Sequence, residues 1–330
     1  MRHTIASSAS KCLIGHTGFV GSALARQTAF DAAFNSRTIH ESAGAEFDMI
    51  VCAAAPGSMF EANREPTRDA AQIDALIDQL AQIGTRRFIL ISSIAVLADF
   101  AGQDTEDTAA FQSDLAYGRH RRRLEAFVED HFDDHLIVRL PALYAHGLKK
   151  NFLFDLLNPV PSMLTRERLD ALMVALPAPL AAVAAQSYAL DAEKGLFVLD
   201  RAALNASPQR PALDDAVRAA GASATQFHHC DTRYQFYGID RLWADIGIAS
   251  AAKLSHIHLA TQPLEAARIH KALTGRAMPQ TSARLHTEDM RTRHAALWGR
   301  EGPYLADENE VLAGLTAFYK SANAGQRQAA

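Results

Sequence analysis

The 330-residue chain holds no uninterrupted apolar run of the about 18–20 residues that a membrane-spanning helix needs. The nearest approach, residues 172–185, is too short and carries Pro177 and Pro179, so no membrane partner is expected. Cysteine is scarce. Cys12, Cys52 and Cys230 are odd in number and far apart, which builds neither a disulfide framework nor a CxxC metal motif. No charge of one sign dominates, because 33 Lys and Arg face 37 Asp and Glu for a net −4. That leaves no basic excess to drive nucleic-acid binding and no acidic excess of the kind that keeps a chain disordered. Residues 1–10 are polar and Ser-rich without an apolar core, so no secretory signal is expected and a cytoplasmic protein is the default. Internal repeats and long linkers are absent as well.

What is present is an alternation. Short apolar runs at residues 11–15, 48–55, 88–91 and 136–140 read as strands, with amphipathic stretches at 18–28, 66–83 and 117–131 between them. Ile73, Leu76, Ile77, Leu80 and Ile83 carry a helical period that Gly84 is expected to stop. Continuous apolar strands separated by helices imply a parallel sheet covered on both faces, a doubly wound α/β architecture. The second half is less regular. Strands are expected at 196–199 and 256–260, a helix at 264–273, and a frayed tail from Ser321. The expected division is a doubly wound domain over residues 1–155 and a smaller, mostly α carboxyl-terminal portion over 156–330. A return strand and helix near 256–273 are expected to rejoin the first domain.

Between the first strand and first helix lies Gly15-His16-Thr17-Gly18-Phe19-Val20-Gly21. A helix N-terminus there offers unpaired N–H groups and a positive dipole end to a pyrophosphate. Gly15 suits the tight turn, Gly18 close backbone approach and Gly21 tight helix–strand packing. About 20 residues on, such a fold presents an acid to a ribose 2′-hydroxyl or a cation to a 2′-phosphate. That window reads Phe34-Asn35-Ser36-Arg37, with no carboxylate before Glu41. Ser36 beside Arg37 suits a phosphate through charge-assisted bonds, so NADP is favoured over NAD. The plain alternative is a solvated loop arginine.

The GxxGxxG spacing with its Thr-Gly-Phe core resembles the extended short-chain dehydrogenase/reductase family, and the likeness recurs in order along the chain. Cys52-Ala53-Ala54-Ala55 resembles the small-residue strand end beside the cofactor. Residues 88–96 resemble the strand bearing the catalytic hydroxyl, here Ser93. Tyr117-Gly118-Arg119-His120-Arg121 falls where the family has YxxxK. Val138 to Tyr144, with Leu140 and Pro141, resembles the strand that closes over nicotinamide. The likeness implies a Rossmann fold and an NAD(P)-dependent oxidoreductase or epimerase acting on nucleotide sugars, with a homodimer as one option. Within that implication Tyr117 is the proton-transfer group and Ser93 holds the reacting oxygen. Arg121, one helical turn on, is the cation that lowers the phenol pKa. Arginine in place of lysine keeps the charge but not the compact ammonium geometry. Ala142 replaces an asparagine that many members place near the sugar nucleotide.

Arg119, Arg121, Arg122 and Arg123 form a basic run, three of which read as a solvated face. Lys149-Lys150-Asn151 reads equally as a contact for a substrate phosphate and as a surface loop. Tyr234-Gln235-Phe236-Tyr237 reads as core, with a ring such as Tyr237 available to a sugar nucleotide. His228-His229-Cys230-Asp231 and the pair His256 and His258 are ligand types without fixed convergence, and no metal is expected. Two functional readings stand: a hydride-transfer enzyme, or an atypical member that senses NADP and regulates a partner.

Overall fold

The computed structural model describes residues 10–328, with side chains through residue 325. Residues 1–9, where no signal segment was expected, lie outside it. The chain forms two compact units. The first comprises the residues up to Gly147 together with Gln235–Pro263 and Thr287–Val311. The second comprises Leu148–Tyr234, Leu264–His286 and the residues from Leu312 on.

The first unit is built on six strands: β1 (Lys11–Ile14), β2 (Ala32–Phe34), β3 (Glu46–Cys52), β4 (Gly84–Ser93), β5 (His135–Leu140) and β6 (His256–His258). All pair in parallel, in the order β6-β5-β4-β3-β1-β2. The near-continuous apolar strands follow from burial on both faces. Because side chains alternate along a strand, Leu13, Val51, Ile89 and Val138 enter one core, whereas Cys12, Ile14, Ile50, Phe88 and Ile137 enter the other. Helix α1 (Phe19–Gln27) contributes Ala23 and Leu24 to the first core. A short helix α2 (Met59–Arg64) precedes α3 (Pro66–Leu80), and α4 (Ala116–His131) follows β4. Ile73 and Leu80 of α3 and Leu124 and Val128 of α4 fill the second core. The architecture is the Rossmann-type α/β fold.

Several boundaries differ from expectation for identifiable reasons. Helix α3 ends at Leu80, and Gly84 opens β4, its N–H bonding to the Ala45 carbonyl rather than closing a helix. Strand β6 pairs with β5, but the helix Ala266–Thr274 expected to return with it belongs to the second unit. There Leu264–Glu265 pairs antiparallel with Arg233–Tyr234. The final helix runs from Glu308 to Gln328, through the segment expected to fray.

The second unit packs helices Arg166–Ala175, Ala178–Ser187, Arg201–Ala206 and Arg210–Ala219 with an antiparallel sheet of Met163–Leu164, Leu196–Leu199 and Tyr188–Asp191. Leu172, Leu199, Leu213 and Val217 lie in its own apolar core. Pro177 separates the first two helices. Among the described residues no helix is long and apolar enough to cross a membrane.

Candidate active site

In this strand order the connections reverse between β1 and β3, and the crevice at the carboxyl ends of those strands is where such sheets take ligands. The glycine turn lies at that point. Gly15 has φ +92°, and its N–H donates to the Phe34 carbonyl at 2.7 Å. A Cβ on Gly15 would lie 2.5 Å from the Ala53 carbonyl oxygen, and one on Gly21 would lie 2.1 Å from that of Gly15. Backbone therefore packs on backbone, and only glycine fits. Gly18 differs: a Cβ there would meet only Gly15 O at 3.3 Å and Ala53 O at 4.0 Å. It caps α1 with no side-chain hydrogen bond and no acid in the first helical turn. The helix itself thus supplies nothing to compensate its positive end. Phe19 and Val20 anchor the helix against the first core, while Thr17 stays exposed.

The other cofactor candidates gather around this turn. The Ala53 N–H donates to Ile14 O at 2.8 Å. Ala53 packs toward one core and Ala54 and Ala55 toward the other. Ser36 and Arg37 sit exposed in the loop after β2, tied to the turn by the Phe34–Gly15 bond. Buried His16 Nδ1 has no hydrogen-bond partner. A glycine cradle, a helix end with no acid in its first turn, an exposed cation and an orphaned polar atom fit a dinucleotide.

The proton-transfer candidates occupy the carboxyl edge of the adjacent strand. Ser93 ends β4, and its Oγ accepts from Ala95 N at 3.2 Å, starting the turn Ile94–Val96. Helix α4 comes so close to this turn that a Cβ on Gly118 would lie 2.0 Å from Ala95 O. Asn63 of α2 accepts from Tyr117 N at 2.9 Å. Tyr117 is thereby held with its phenol close enough to Ser93 for that hydroxyl to pull its pKa down. Leu140 stands in register opposite Ser93, but its side chain packs into the core, so only backbone is offered there. Pro141, next in the chain, is buried.

Arg121 is where the spacing put it, one turn beyond Tyr117, with its guanidinium carbon 4.0 Å from the ring centroid. Its charge is shared with other protein groups. The guanidinium is buried and donates to Asp69 Oδ2 at 2.5 Å, to Tyr117 O at 3.3 Å and to the carbonyl of Pro56, just after Ala55. His120 Nδ1 lies 2.7 Å from the same Asp69 oxygen. Burial would push the Asp69 carboxyl up, but the Arg121 and His120 bonds overcome it and hold the group below its ordinary range. The Tyr117 phenol instead lies above its ordinary value. Burial dominates, Arg121 and Ser93 pull down without prevailing, and the Asp69 charge pushes further up. Arg121 does pull the phenol down, as its spacing implied, and burial outweighs that pull.

Asn63, Asp69, His120 and Gly118 were not singled out from sequence. Asp69 could have been: it precedes Ile73 by four residues and so lies on the apolar stripe of α3, where an acid needs a buried partner. Of the remaining basic run, Arg122 pairs with Glu125 and Glu129, Arg123 with Asp74, and Arg119 is exposed.

The substrate candidates separate. Lys150 is exposed, and Asn151, at φ +109°, caps helix Phe152–Leu157 by accepting from Leu153 N and Phe154 N at 3.0 and 3.2 Å. Tyr237 is corrected from substrate contact to core: it is 2% exposed, and its hydroxyl donates to buried Asp245 at 2.5 Å. In the second unit Tyr234 stacks on Phe152 at 5.4 Å and bonds to His228 Nδ1 at 2.7 Å, and His228 Nε2 lies 2.8 Å from Asp155. His229, Cys230 and Asp231 bring ligand-type atoms within 4.8 Å of one another. His256 and His258 are engaged by Glu129 and Arg139.

No protein-family model and no curated protein sequence matches the chain. Solved structures do match over nearly its whole length. The dTDP-4-dehydrorhamnose reductase of Yersinia enterocolitica superposes with TM-score 0.58 at 14% identity, covering 95% of this chain and 99% of the other. The enzyme of that name from Bacillus anthracis str. Ames, in complex with NADP, gives 0.58 at 12% identity over 96% and 99%. UDP-N-acetylglucosamine 4-epimerase from Methanobrevibacter ruminantium M1, in complex with UDP-N-acetylmuramic acid, gives 0.59 at 10% identity over 95% and 98%. The chain has the fold of these nucleotide-sugar reductases and epimerases.

Proposed function

We propose that the protein is an NAD(P)-dependent oxidoreductase or epimerase of the nucleotide-sugar type. The observation that supports this reading is the Arg121 bond to the Pro56 carbonyl, which ties the helix bearing Tyr117 to the chain just after Ala55. Gly15, Gly18, Gly21 and the start of α1 would receive the pyrophosphate, Ala53–Ala55 would border the dinucleotide, and Arg37 with Ser36 would favour a 2′-phosphate. The bound nicotinamide would supply or accept the hydride. Tyr117 would move the proton of the substrate oxygen, and Ser93 would hold that oxygen by hydrogen bond. The second unit would carry substrate recognition, and exposed Lys150 would contact a phosphate. Arg121 in place of lysine supports the second reading, an NADP sensor, because its guanidinium is engaged by protein groups.

Gly18 gives the cleaner test, because its substitution clashes least with the turn. Gly18→Val should weaken NADPH binding at least tenfold in a fluorescence titration with the unfolding midpoint preserved, and Arg37→Ala should erase the preference for NADPH over NADH. Tyr117→Phe should bind cofactor normally and lose at least a thousandfold in turnover of a nucleotide-sugar substrate. Normal turnover by Tyr117→Phe removes the enzymatic assignment, and tight NADPH binding without any turnover by the wild type selects the sensor.

A further inference from the structure

We propose that Asp69 is the positioning residue of this site: by pinning Arg121 against the Tyr117 ring and pairing its charge, it keeps Tyr117 a proton donor and sets the site to reduce a ketone or aldehyde carbonyl. This rests on the reading of Tyr117 as the proton-transfer group.

A cation one turn from a tyrosine lowers the phenol only as far as its charge is free to act there. Here it is not free. The Arg121 guanidinium meets the Asp69 carboxylate at 2.5 Å, and the Tyr117 and Pro56 carbonyls take further N–H groups. Its carbon lies 4.0 Å from the ring centroid, where the cation is attracted to the π face. Asp69 is itself held from α4 by both His120 and Arg121, while Arg122 pairs with Glu125 and Glu129 and Arg123 with Asp74. The groups acting on the phenol are therefore Ser93, Arg121 and Asp69, and the net charge of the last two is close to zero.

A neutral phenol suits one half of the chemistry. In reduction, a hydride from a reduced nicotinamide bonds to the carbonyl carbon, the π pair moves to oxygen, and that oxygen takes the Tyr117 proton. The phenolate left behind is reprotonated from water. Oxidation of the alcohol requires the phenolate first, which at neutral pH is about a thousandth or less of a tyrosine with an ordinary or raised pKa. Asp69 leaves the overall equilibrium unchanged and decides which direction starts from the resting protonation state.

The test is a phenolate-absorbance titration of the cofactor-free protein, read as the difference from a Tyr117→Phe reference, because the chain has 7 tyrosines. The wild-type Tyr117 midpoint should lie at about 10 or above, and a midpoint near neutrality overturns the proposal without any further variant. Asp69→Asn, measured against its own Tyr117→Phe partner, should raise the phenolate fraction about tenfold at a fixed pH below the midpoint. Asp69→Glu should restore the wild-type value. An unshifted midpoint in folded Asp69→Asn overturns the assignment. NADPH titration of the same samples judges the cofactor reading separately: failure to bind refutes that reading and leaves the tyrosine result to judge Asp69.

Discussion

Helix α4 carries two buried charge clusters about a turn apart, and they are built differently. At its start, Arg121 and His120 share one oxygen of Asp69. Further along, Glu125 accepts both Nε and Nη2 of Arg139, at 3.0 and 2.7 Å, and the Ser92 hydroxyl at 2.6 Å. Arg139 Nη1 then donates to His258 Nε2 at 3.1 Å, and His258 Nδ1 donates to Arg291 O at 2.8 Å. Each guanidinium nitrogen of Arg139 has a partner. The first cluster leaves Arg121 Nε buried without one. A buried ion pair is rarely a net gain over apolar packing, and it holds its place only when its remaining polar atoms are satisfied. The closed cluster meets that condition and ties α4 to β4, β5 and β6. The open one does not, and it is the cluster beside the tyrosine. A buried polar atom without a partner, here Arg121 Nε, calls for an explanation beyond packing.

The largest effect should come from breaking the closed cluster. Arg139→Met removes both fork bonds from Glu125 and the donor from His258, leaving a fully buried carboxylate with Ser92 and the weaker Arg122 contact at 3.3 Å. Stranding such a charge costs about 3–5 kcal/mol, to be read from urea unfolding. The matching change in the open cluster, Arg121→Met, leaves Asp69 its His120 bond and should cost less. Equal losses would mean that the two clusters do the same structural work.

The sheet was legible because its strands are apolar on both faces and the turn between β1 and α1 spaces three glycines in a fixed rhythm. β2 and α2 escaped because 3 and 6 residues show too little periodicity to read. In the candidate site, the residues adjacent along the chain were readable: Gly15 to Gly21, and Tyr117 with Arg121 at helical spacing. What could not be read was the partner brought by tertiary packing. Asp69 is 52 residues from Arg121, and Pro56 is 65 away. Without them Arg121 reads as a free cation, and the Asp69 charge that opposes its pull on Tyr117 goes unseen. Tyr237 failed for the same reason, since Asp245, its buried partner, comes from the following helix.

A smaller effect separates the two ends of α4. The Gly118 backbone touches the turn after Ser93 so closely that Gly118→Ala must lift the start of the helix off the Ala95 carbonyl. Overpacking of this kind costs about 1–3 kcal/mol. The displacement should fall on the Asp69 end and spare the Glu125 end. Amide hydrogen exchange should therefore quicken around residues 116–121 more than around 125–131, and turnover should fall further than NADPH affinity. Uniform loosening along α4 would show that the clusters respond as one body.

The smallest effect uses pH to tell the clusters apart. His258 can accept from Arg139 and donate to Arg291 only as a neutral ring. Burial first, then the Arg139 charge, lowers its pKa, against an opposing pull from Glu106 and Glu125. Since the folded value lies below the unfolded value of about 6.5, the unfolded chain takes the proton first as pH falls. Stability present above about pH 6.5 is then lost on the way down to the folded value. Asp69 is also depressed, but from an unfolded value of about 4, so its contribution persists until the solution is far more acid. Between about pH 7 and 5.5 only the closed cluster should weaken. His258→Gln replaces the ring with a group that can still accept from Arg139 and donate to Arg291 but does not titrate. Its urea midpoint should change less than the wild type's across that window, by an amount worth no more than about 1 kcal/mol. Parallel slopes for the two proteins would place the acid sensitivity elsewhere and remove His258 as the point at which acid opens the closed cluster.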